Sequence, residues 1–260
     1  LGKIDVQGPD AAEFLNRVYA NPFLKVPVGK ARYGVMLRED GYLFDDGTSW
    51  RLSETQFLMT TTTANAASVL SELERLLTLV WPNLKVHVSS VTDQWAGMAV
   101  AGPKSRDVLV KIIDDIDFSE KELPHMAIAD GRIGKIPVKV ARLSFSGERA
   151  YEIYTGASHG KAVWKAVIEA GKSYDIVPYG TEALGTLRIE KGHISGPELD
   201  GRTTMEDVGL AEMASENKQY IGSVLSKRDG LVSKNRKKMV GLISKDQKPL
   251  KAGSHIMHKE

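Results

Sequence analysis

The sequence predicts an α+β fold in which largely antiparallel β-sheets are flanked by helices. Short runs rich in β-branched and aromatic residues follow one another with polar turns between them, as expected for strands joined by hairpins. Segments with apolar residues at helical spacing stand between these runs, so helices are expected to cover the sheets. With 260 residues, the chain is long enough to bury a sizeable core and to form two domains.

The first helix is predicted to start at residues 8–10, Gly-Pro-Asp, because Phe14, Leu15 and Val18 then form one apolar stripe. Further helices are predicted after residues 63–65 and 102–103, and at 160–169 and 182–190. Strands are predicted at residues 32–37, 42–46, 49–52, 57–61, 85–90, 95–100, 136–145 and 150–155. The segment at 227–238 is rich in Lys, Arg, Gly and Ser and is predicted to be a linker.

The composition excludes several kinds of chemistry. A net charge of +2 gives no reason to expect nucleic acid as the main partner, and no apolar run approaches the roughly 20 residues of a membrane helix. The absence of cysteine excludes a thiol nucleophile and agrees with a cytoplasmic, soluble protein. The six histidines form no close ligand pair, and isolated ones such as His87 and His193 are more often surface or structural residues, so we expect no structural metal.

Two adjacent aspartates, Asp45 and Asp46, follow an apolar strand signal. Successive side chains of a strand point to opposite faces, so one acid must share a face with Leu43 while the other points away. One of the two is therefore a candidate for a partly desolvated functional carboxylate. Alternatively, residues 45–48 form a second turn with solvated acids, and this segment alone favours the turn because Asp-Gly is a strong hairpin signal.

Glu152 is a second candidate carboxylate. It follows a Gly turn at residues 146–148 and alternates with Tyr151 and Ile153 in a predicted strand. The ordinary explanation is an acid of an edge strand that faces water. A glutamate that faces inward can instead accept two parallel N–H groups from a planar heterocycle such as a pterin ring.

Five short motifs occur in a specific order along the chain. They are G-x-x-x-D-D at residues 41–46, an apolar Gly-Pro helix opening at 98–103, S-G-E-x-x-x-E at 146–152, L-R-x-E-x-G at 187–192 and Thr-Thr at 203–204. Over nearly its whole length the chain thereby resembles the aminomethyltransferase family of the glycine cleavage T-protein. The family includes C-terminal parts of dimethylglycine and sarcosine dehydrogenases and of the α subunit of heterotetrameric sarcosine oxidase. Residues 29–37 and 178–193 are most similar to the sarcosine oxidase branch.

The resemblance implies three parts of a T-protein-like fold. Residues 1–91 are expected to form a β-rich lobe with flanking helices, residues 92–205 a second α+β lobe, and residues 206–260 a linker and the start of a truncated C-terminal β domain. It also implies that an amino-terminal, dinucleotide-binding half lies outside this sequence. The apparent strand at Leu1 and the strand-like pattern at 239–243 fit a piece of a longer polypeptide with an incomplete final β domain.

The resemblance also implies roles for particular residues. Asp46 is similar to the carboxylate beside the reacting nitrogens of tetrahydrofolate, and Glu152 is similar to the acid that holds the pterin ring. Phe57 stands where the T-protein has a tyrosine near the folate, and Met59 where it has a small apolar wall residue. Leu184 stands where the T-protein helix has an arginine that can meet the carboxylate tail of folate.

The function implied by the resemblance is folate-dependent one-carbon transfer. Oxidation of sarcosine elsewhere in a complex would give an imine or iminium, whose one-carbon unit tetrahydrofolate captures as 5,10-methylene-tetrahydrofolate with release of glycine. Flavins and NAD are expected on other parts of the complex, and the expected partners are the missing half of the chain and the other sarcosine oxidase subunits. The alternatives are a non-folate-binding assembly domain and a stand-alone glycine-cleavage aminomethyltransferase.

Overall fold

Two antiparallel sheets organise the protein in a computed structural model, which describes residues 1–246, 248, 250, 251, 253–255 and 257. The first sheet has the strand order β2-β3-β4-β1-β5 and the second has the order β6-β9-β8-β7. The strands of the first sheet are β1 (Gly2–Gln7), β2 (Lys30–Leu37), β3 (Leu43–Ser53), β4 (Gln56–Thr61) and β5 (His87–Ser90). Those of the second are β6 (Trp95–Ala101), β7 (Ile128–Ile133), β8 (Ile136–Ala141) and β9 (Ala150–Gly156).

Each sheet has one face covered by helices. The helices are α1 (Ala11–Val18), α2 (Ala66–Arg75), α3 (Ser105–Val110), α4 (Gly160–Gly171), α5 (Thr181–Lys191) and the short α6 (Asp229–Val232). Phe14 of α1 and Leu73 of α2 are fully buried against the first sheet. Leu109 of α3 and Val163 of α4 are equally buried against the second. Burial of these apolar side chains is the main stabilising term of both lobes.

The remaining faces of the two sheets pack against each other. Trp50 of β3 and Tyr154 of β9 form the centre of this contact, with ring centroids 4.5 Å apart. Leu58 of β4 and Ala141 of β8 belong to the same buried cluster. The region between these two sheet faces is here called the inter-sheet space.

The predicted α+β class with largely antiparallel sheets is confirmed, but several local features differ from the predictions. The turn interpretation of residues 45–48 is wrong, because β3 runs through them and each pairs with a residue of β2. Strand β7 was not predicted, since its Asp-Gly-Arg centre lacks residues with high strand propensity. Residues 239–243 have no regular secondary structure. The division into three parts at residues 91 and 205 stays a prediction.

No helix in the described residues is both long and apolar enough to cross a lipid bilayer.

A close approach between β3 and β4 explains the glycine after the paired aspartates. A Cβ atom on Gly47 would lie 2.0 Å from the carbonyl oxygen of Thr60, so an alanine there must push two paired strands apart. We expect Gly47→Ala to lower the free energy of unfolding by roughly 2 to 4 kcal/mol. Gly185→Ala on α5 is the matched control, because a Cβ atom there would have no other atom within 4 Å and alanine favours helix. Equal denaturant midpoints for the two variants would contradict this explanation.

Candidate functional site

The two predicted acids lie on the sheet faces that meet. Asp46 and Trp50 are an even number of residues apart on β3, and Glu152 and Tyr154 are likewise two apart on β9. Because side chains alternate along a strand, each acid shares the face of the aromatic residue at the inter-sheet contact. Both carboxylates therefore belong to faces that border the inter-sheet space.

A row of polar side chains crosses the first sheet between the two acids. The row consists of Lys3, Thr60, Thr48 and Tyr33, which are directly opposite one another on β1, β4, β3 and β2. Adjacent strands lie about 4.8 Å apart, so the row is roughly 14 Å long. Tyr33 at one end contacts Asp46, and Lys3 at the other end acts electrostatically on Glu152. The polar row therefore lies on the same face of the first sheet as Asp46.

Asp46 is held in a fixed orientation at its end of the polar row. The Tyr33 hydroxyl donates a hydrogen bond of 2.7 Å to Asp46 Oδ2. Burial raises the pKa of Asp46, while the bond from Tyr33 and the nearby charge of His193 act in the opposite direction. Ile194 packs in the same cluster as Val35, the residue directly opposite Asp46, so the chain at 193–194 lies near this carboxylate.

Glu152 has an unsatisfied oxygen. Its Oε2 atom is buried and has no hydrogen-bond partner in the described part of the chain. Burial raises the pKa of Glu152, and Tyr154 and Lys3 oppose that shift. An unpaired buried acceptor costs on the order of 1 to 3 kcal/mol, so a ligand that donates an N–H group here would recover that energy.

One segment of the chain contacts the surroundings of both acids. The charge of Glu152 adds to burial in raising the pKa of Tyr179, which precedes α5. His193 follows α5, lies near Asp46, and has its Nδ1 atom 2.9 Å from the Phe145 carbonyl oxygen. Helix α5 therefore runs from the Glu152 side towards the Asp46 side of the molecule.

Asp45 points away from Asp46, as strand alternation predicts. A β-bulge lies at this point of the β2–β3 pair, where Met36 pairs with Asp45 but Leu37 pairs with Leu43. The bulge places Leu43 with Leu37 and Val35 in one apolar cluster, on the face of Asp46. Asp45 is fully buried on the helix-covered face instead. Bulges commonly re-aim side chains beside functional sites.

Burial raises the pKa of Asp45 from 3.8 to about 6, which predicts a pH-dependent stability. The folded state holds the Asp45 proton more tightly than the unfolded state. Proton binding at Asp45 therefore stabilises the folded state fully below about pH 3.8, and this stabilisation is lost as the pH rises through about 6. A pKa difference of about two corresponds to roughly 3 kcal/mol. We therefore compare the unfolding free energies of the unsubstituted protein and of Asp45→Asn. The first minus the second should fall by up to this amount between about pH 4 and pH 7. Denaturant titrations that give parallel pH profiles for the two proteins would show that Asp45 titrates normally.

Two of the residues selected by resemblance offer no surface to a ligand. Phe57 and Met59 are fully buried in the core between the first sheet, α1 and α2. Their role as folate contacts stays a prediction, and the candidate site consists of the surroundings of Asp46 and Glu152. Leu184 is half-buried on α5 and brings no positive charge for a carboxylate tail.

The structure adds residues that the sequence did not indicate. Lys3, Tyr33, Thr48 and Thr60 reach the site through strand register, and Tyr179 and His193 reach it through the ends of α5. The period-two pattern gives the face of each residue, but the pairing of distant strands is needed to place them in one row.

The described residues contain no group of three or more His, Cys, Asp or Glu side chains that could hold a metal ion. One cavity of about 430 Å³ lies beside β7 and β8 of the second sheet. Another, of about 490 Å³, lies beside residues 197–208. Neither is lined by Asp46 or Glu152.

The fold and the paired acids agree with a family assignment from sequence. The family model described as the GCVT N-terminal domain matches residues 1–218. An aminomethyltransferase of Corynebacterium aurimucosum is 30% identical over 259 residues, which cover 98% of this chain and 69% of that protein. The chain belongs to the GCVT family, and the predicted family resemblance is confirmed.

Within this family, the chain is more similar to proteins of a particular kind. The sarcosine oxidase α subunit of Rhizobium meliloti is 49% identical over 263 residues, which cover all of this chain and 26% of that subunit. The chain thus spans about a quarter of the length of the curated sarcosine oxidase relatives it matches. The crystal structure of the glycine cleavage system aminomethyltransferase T from Bartonella henselae has the same fold. It superposes with a TM-score of 0.74 at 24% identity and covers 86% of this chain and 59% of that one.

Proposed function

We propose that this chain is the folate-binding one-carbon transfer module of a sarcosine oxidase α subunit. It captures the one-carbon unit of oxidised sarcosine on tetrahydrofolate, giving 5,10-methylene-tetrahydrofolate and glycine. The observation that carries the proposal is the buried, unpartnered Oε2 of Glu152 on a sheet face that borders the same space as Asp46 in the described residues. The identity to sarcosine oxidase α subunits supports the choice of complex.

The residues present fit a reduced pterin at Glu152. A carboxylate accepts hydrogen bonds only, and a pterin offers an amino group and a ring N–H side by side, so the fork geometry matches. Tyr154 and Tyr179 border this acid and provide partly apolar surroundings for a planar ring. The polar row then leads from the Glu152 end to Asp46.

Asp46 has the chemistry required at the reacting end. Tetrahydrofolate, when bound, supplies the amine nitrogens that take up the one-carbon unit. The Asp46 carboxylate, oriented by Tyr33, stabilises positive charge that develops next to it and accepts the proton released from an attacking amine. Its raised pKa suits a group that must hold that proton briefly and then release it.

The module depends on other parts of a larger assembly. Sarcosine oxidation needs flavin and NAD chemistry, which we assign to the remaining three quarters of the α subunit and to other subunits. Glycine release and one-carbon capture then occur in the inter-sheet space. Cytoplasmic location of the assembly is part of the same proposal.

Calorimetric titration of the complete protein with 5-formyl-tetrahydrofolate, an unreactive analogue, tests the proposal. We expect saturable binding of this analogue at one site per chain. Folate analogues that lack the amino group of the pterin ring should not bind. Absence of binding would instead support the assembly-domain alternative.

A further inference from the structure

The first aspartate of the pair, Asp45, is fully buried although no cation contacts it in the described residues. Its Oδ2 atom accepts the backbone N–H of Thr62 at 3.2 Å, and its Oδ1 atom accepts the side-chain amide of Asn65 at 3.3 Å. The same amide nitrogen donates to the Phe44 carbonyl oxygen at 3.1 Å. Asp45 thereby ties β3 to the turn that leads into α2.

These bonds replace sheet pairing at the position where the active acid needs support. The β3–β4 register pairs Ser49 with Met59, so the position opposite Asp46 is Thr62, one residue past the end of β4. On the other side Asp46 still pairs with Val35 of β2, and the bulge lies two residues earlier, at Phe44. Without Asp45, β3 would lose this connection to the chain beyond β4 and would be held at Asp46 by its pairing with β2.

The arrangement is energetically unfavourable for Asp45 itself. A carboxylate without a cationic partner is costly to bury, and the pKa of Asp45 is raised to about 6 for this reason. The neighbouring charge of Asp46 adds to this cost, and no cation in the described part of the chain offsets it. A residue that served stability alone would be better apolar or amide at this place.

We propose that Asp45 is a positioning residue for Asp46, fixing the strand at the bulge so that the Asp46 carboxylate stays beside Tyr33 and the polar row. This inference rests on the proposed one-carbon transfer at Asp46. Asp45 does not touch the ligand; it acts through the backbone it shares with Asp46. Its side-chain partner Asn65 immediately precedes α2, which covers the face of the first sheet that points away from the inter-sheet space.

The test uses the complete protein and a charge-exchange pair. In Asp45→Asn, the amide oxygen still accepts the Thr62 N–H. The new amide NH₂ group faces the NH₂ group of Asn65, so two donors oppose each other and that bond is lost. The double variant D45N/N65D restores a donor–acceptor pair between these positions and moves the charge to residue 65, which then no longer donates to the Phe44 carbonyl oxygen. We expect Asp45→Asn to slow formation of 5,10-methylene-tetrahydrofolate about tenfold while the affinity for 5-formyl-tetrahydrofolate stays within about twofold. The double variant should recover part of the rate, because the bond between positions 45 and 65 is restored and the bond to Phe44 is not.

A purely structural role gives a different pattern. If the rate of Asp45→Asn stays within about twofold of the unsubstituted protein, or if rate and analogue affinity fall together and the double variant recovers neither, the positioning role is wrong. The affinity measurement also reports correct folding of each variant. If the unsubstituted protein itself neither binds the analogue nor forms the product, the proposed function fails, and that outcome is distinct from a failure confined to Asp45.

Discussion

Substitution of Glu152 by glutamine is expected to abolish most of the affinity for tetrahydrofolate. Glutamine has nearly the same size, but its amide nitrogen would face the donors of the pterin, whereas the carboxylate offers acceptors only. Each lost bond to a charged group is worth about 1.5 to 3 kcal/mol, which corresponds to a roughly 10- to 150-fold larger dissociation constant. Calorimetric titration of the intact complex with 5-formyl-tetrahydrofolate measures this change.

The matched control is Glu148→Gln. Glu148 is exposed in the loop that leads into β9, four residues before Glu152, and its substitution makes the same change of charge. We expect its affinity to match that of the unsubstituted protein. Glu152→Gln should also leave sarcosine oxidation intact, because that reaction is assigned to other parts of the complex. Equal affinities for Glu152→Gln and Glu148→Gln would remove Glu152 from the site.

Asp46→Asn is expected to slow one-carbon capture by about 10²-fold with little change in folate affinity. The amide keeps a group that can bond to Tyr33 but has neither the charge that stabilises a developing cation nor the basicity to accept a proton. An interaction that is stronger in the transition state than in the ground state affects the rate constant more than binding. Single-turnover formation of 5,10-methylene-tetrahydrofolate gives this rate directly.

Glu39→Gln is the control for Asp46. Glu39 lies in the same β2–β3 hairpin and is exposed, where it pairs with Arg75. Exposed ion pairs contribute little, so capture and binding should both be unchanged. If Asp46→Asn weakened analogue binding as strongly as it slowed capture, Asp46 would be a binding residue and would have no special role in the transition state.

The sequence indicated much of the fold because hydrophobic periodicity is a local signal. The helices with strong apolar stripes, such as α1 and α2, and most strands lie close to their predicted positions. The exception at residues 45–48 has a physical cause. Asp-Gly is a good turn signal in isolation, but here β2 pairs with residues 45–48 and β4 pairs with the rest of β3 from Ser49 onward, so tertiary pairing overrides the local preference.

The site was only partly accessible to sequence reasoning. The residue pattern alone marks Glu152 and one of Asp45 and Asp46 as candidates, and the resemblance selects Asp46 of the pair. Alternation correctly indicates that the Asp45 and Asp46 side chains point to opposite faces of the strand. The polar row depends on pairing between β1 and β4, which are about 50 residues apart in sequence and follow no local rule. The bulge that sets the face of Leu43 is equally invisible in the sequence. Burial of Phe57 likewise follows from the packing of two helices on that face of the sheet.

An experimental structure of the complete protein with bound 5-formyl-tetrahydrofolate would test the proposed folate site most directly. We expect the pterin in the inter-sheet space, with its amino group and ring N–H at hydrogen-bond distance, about 2.7 to 3.2 Å, from the Glu152 carboxylate. The nitrogens that carry the one-carbon unit should lie beside Asp46, over the polar row. A pterin bound elsewhere, with the Glu152 Oε2 atom still unpartnered, would contradict the proposed site.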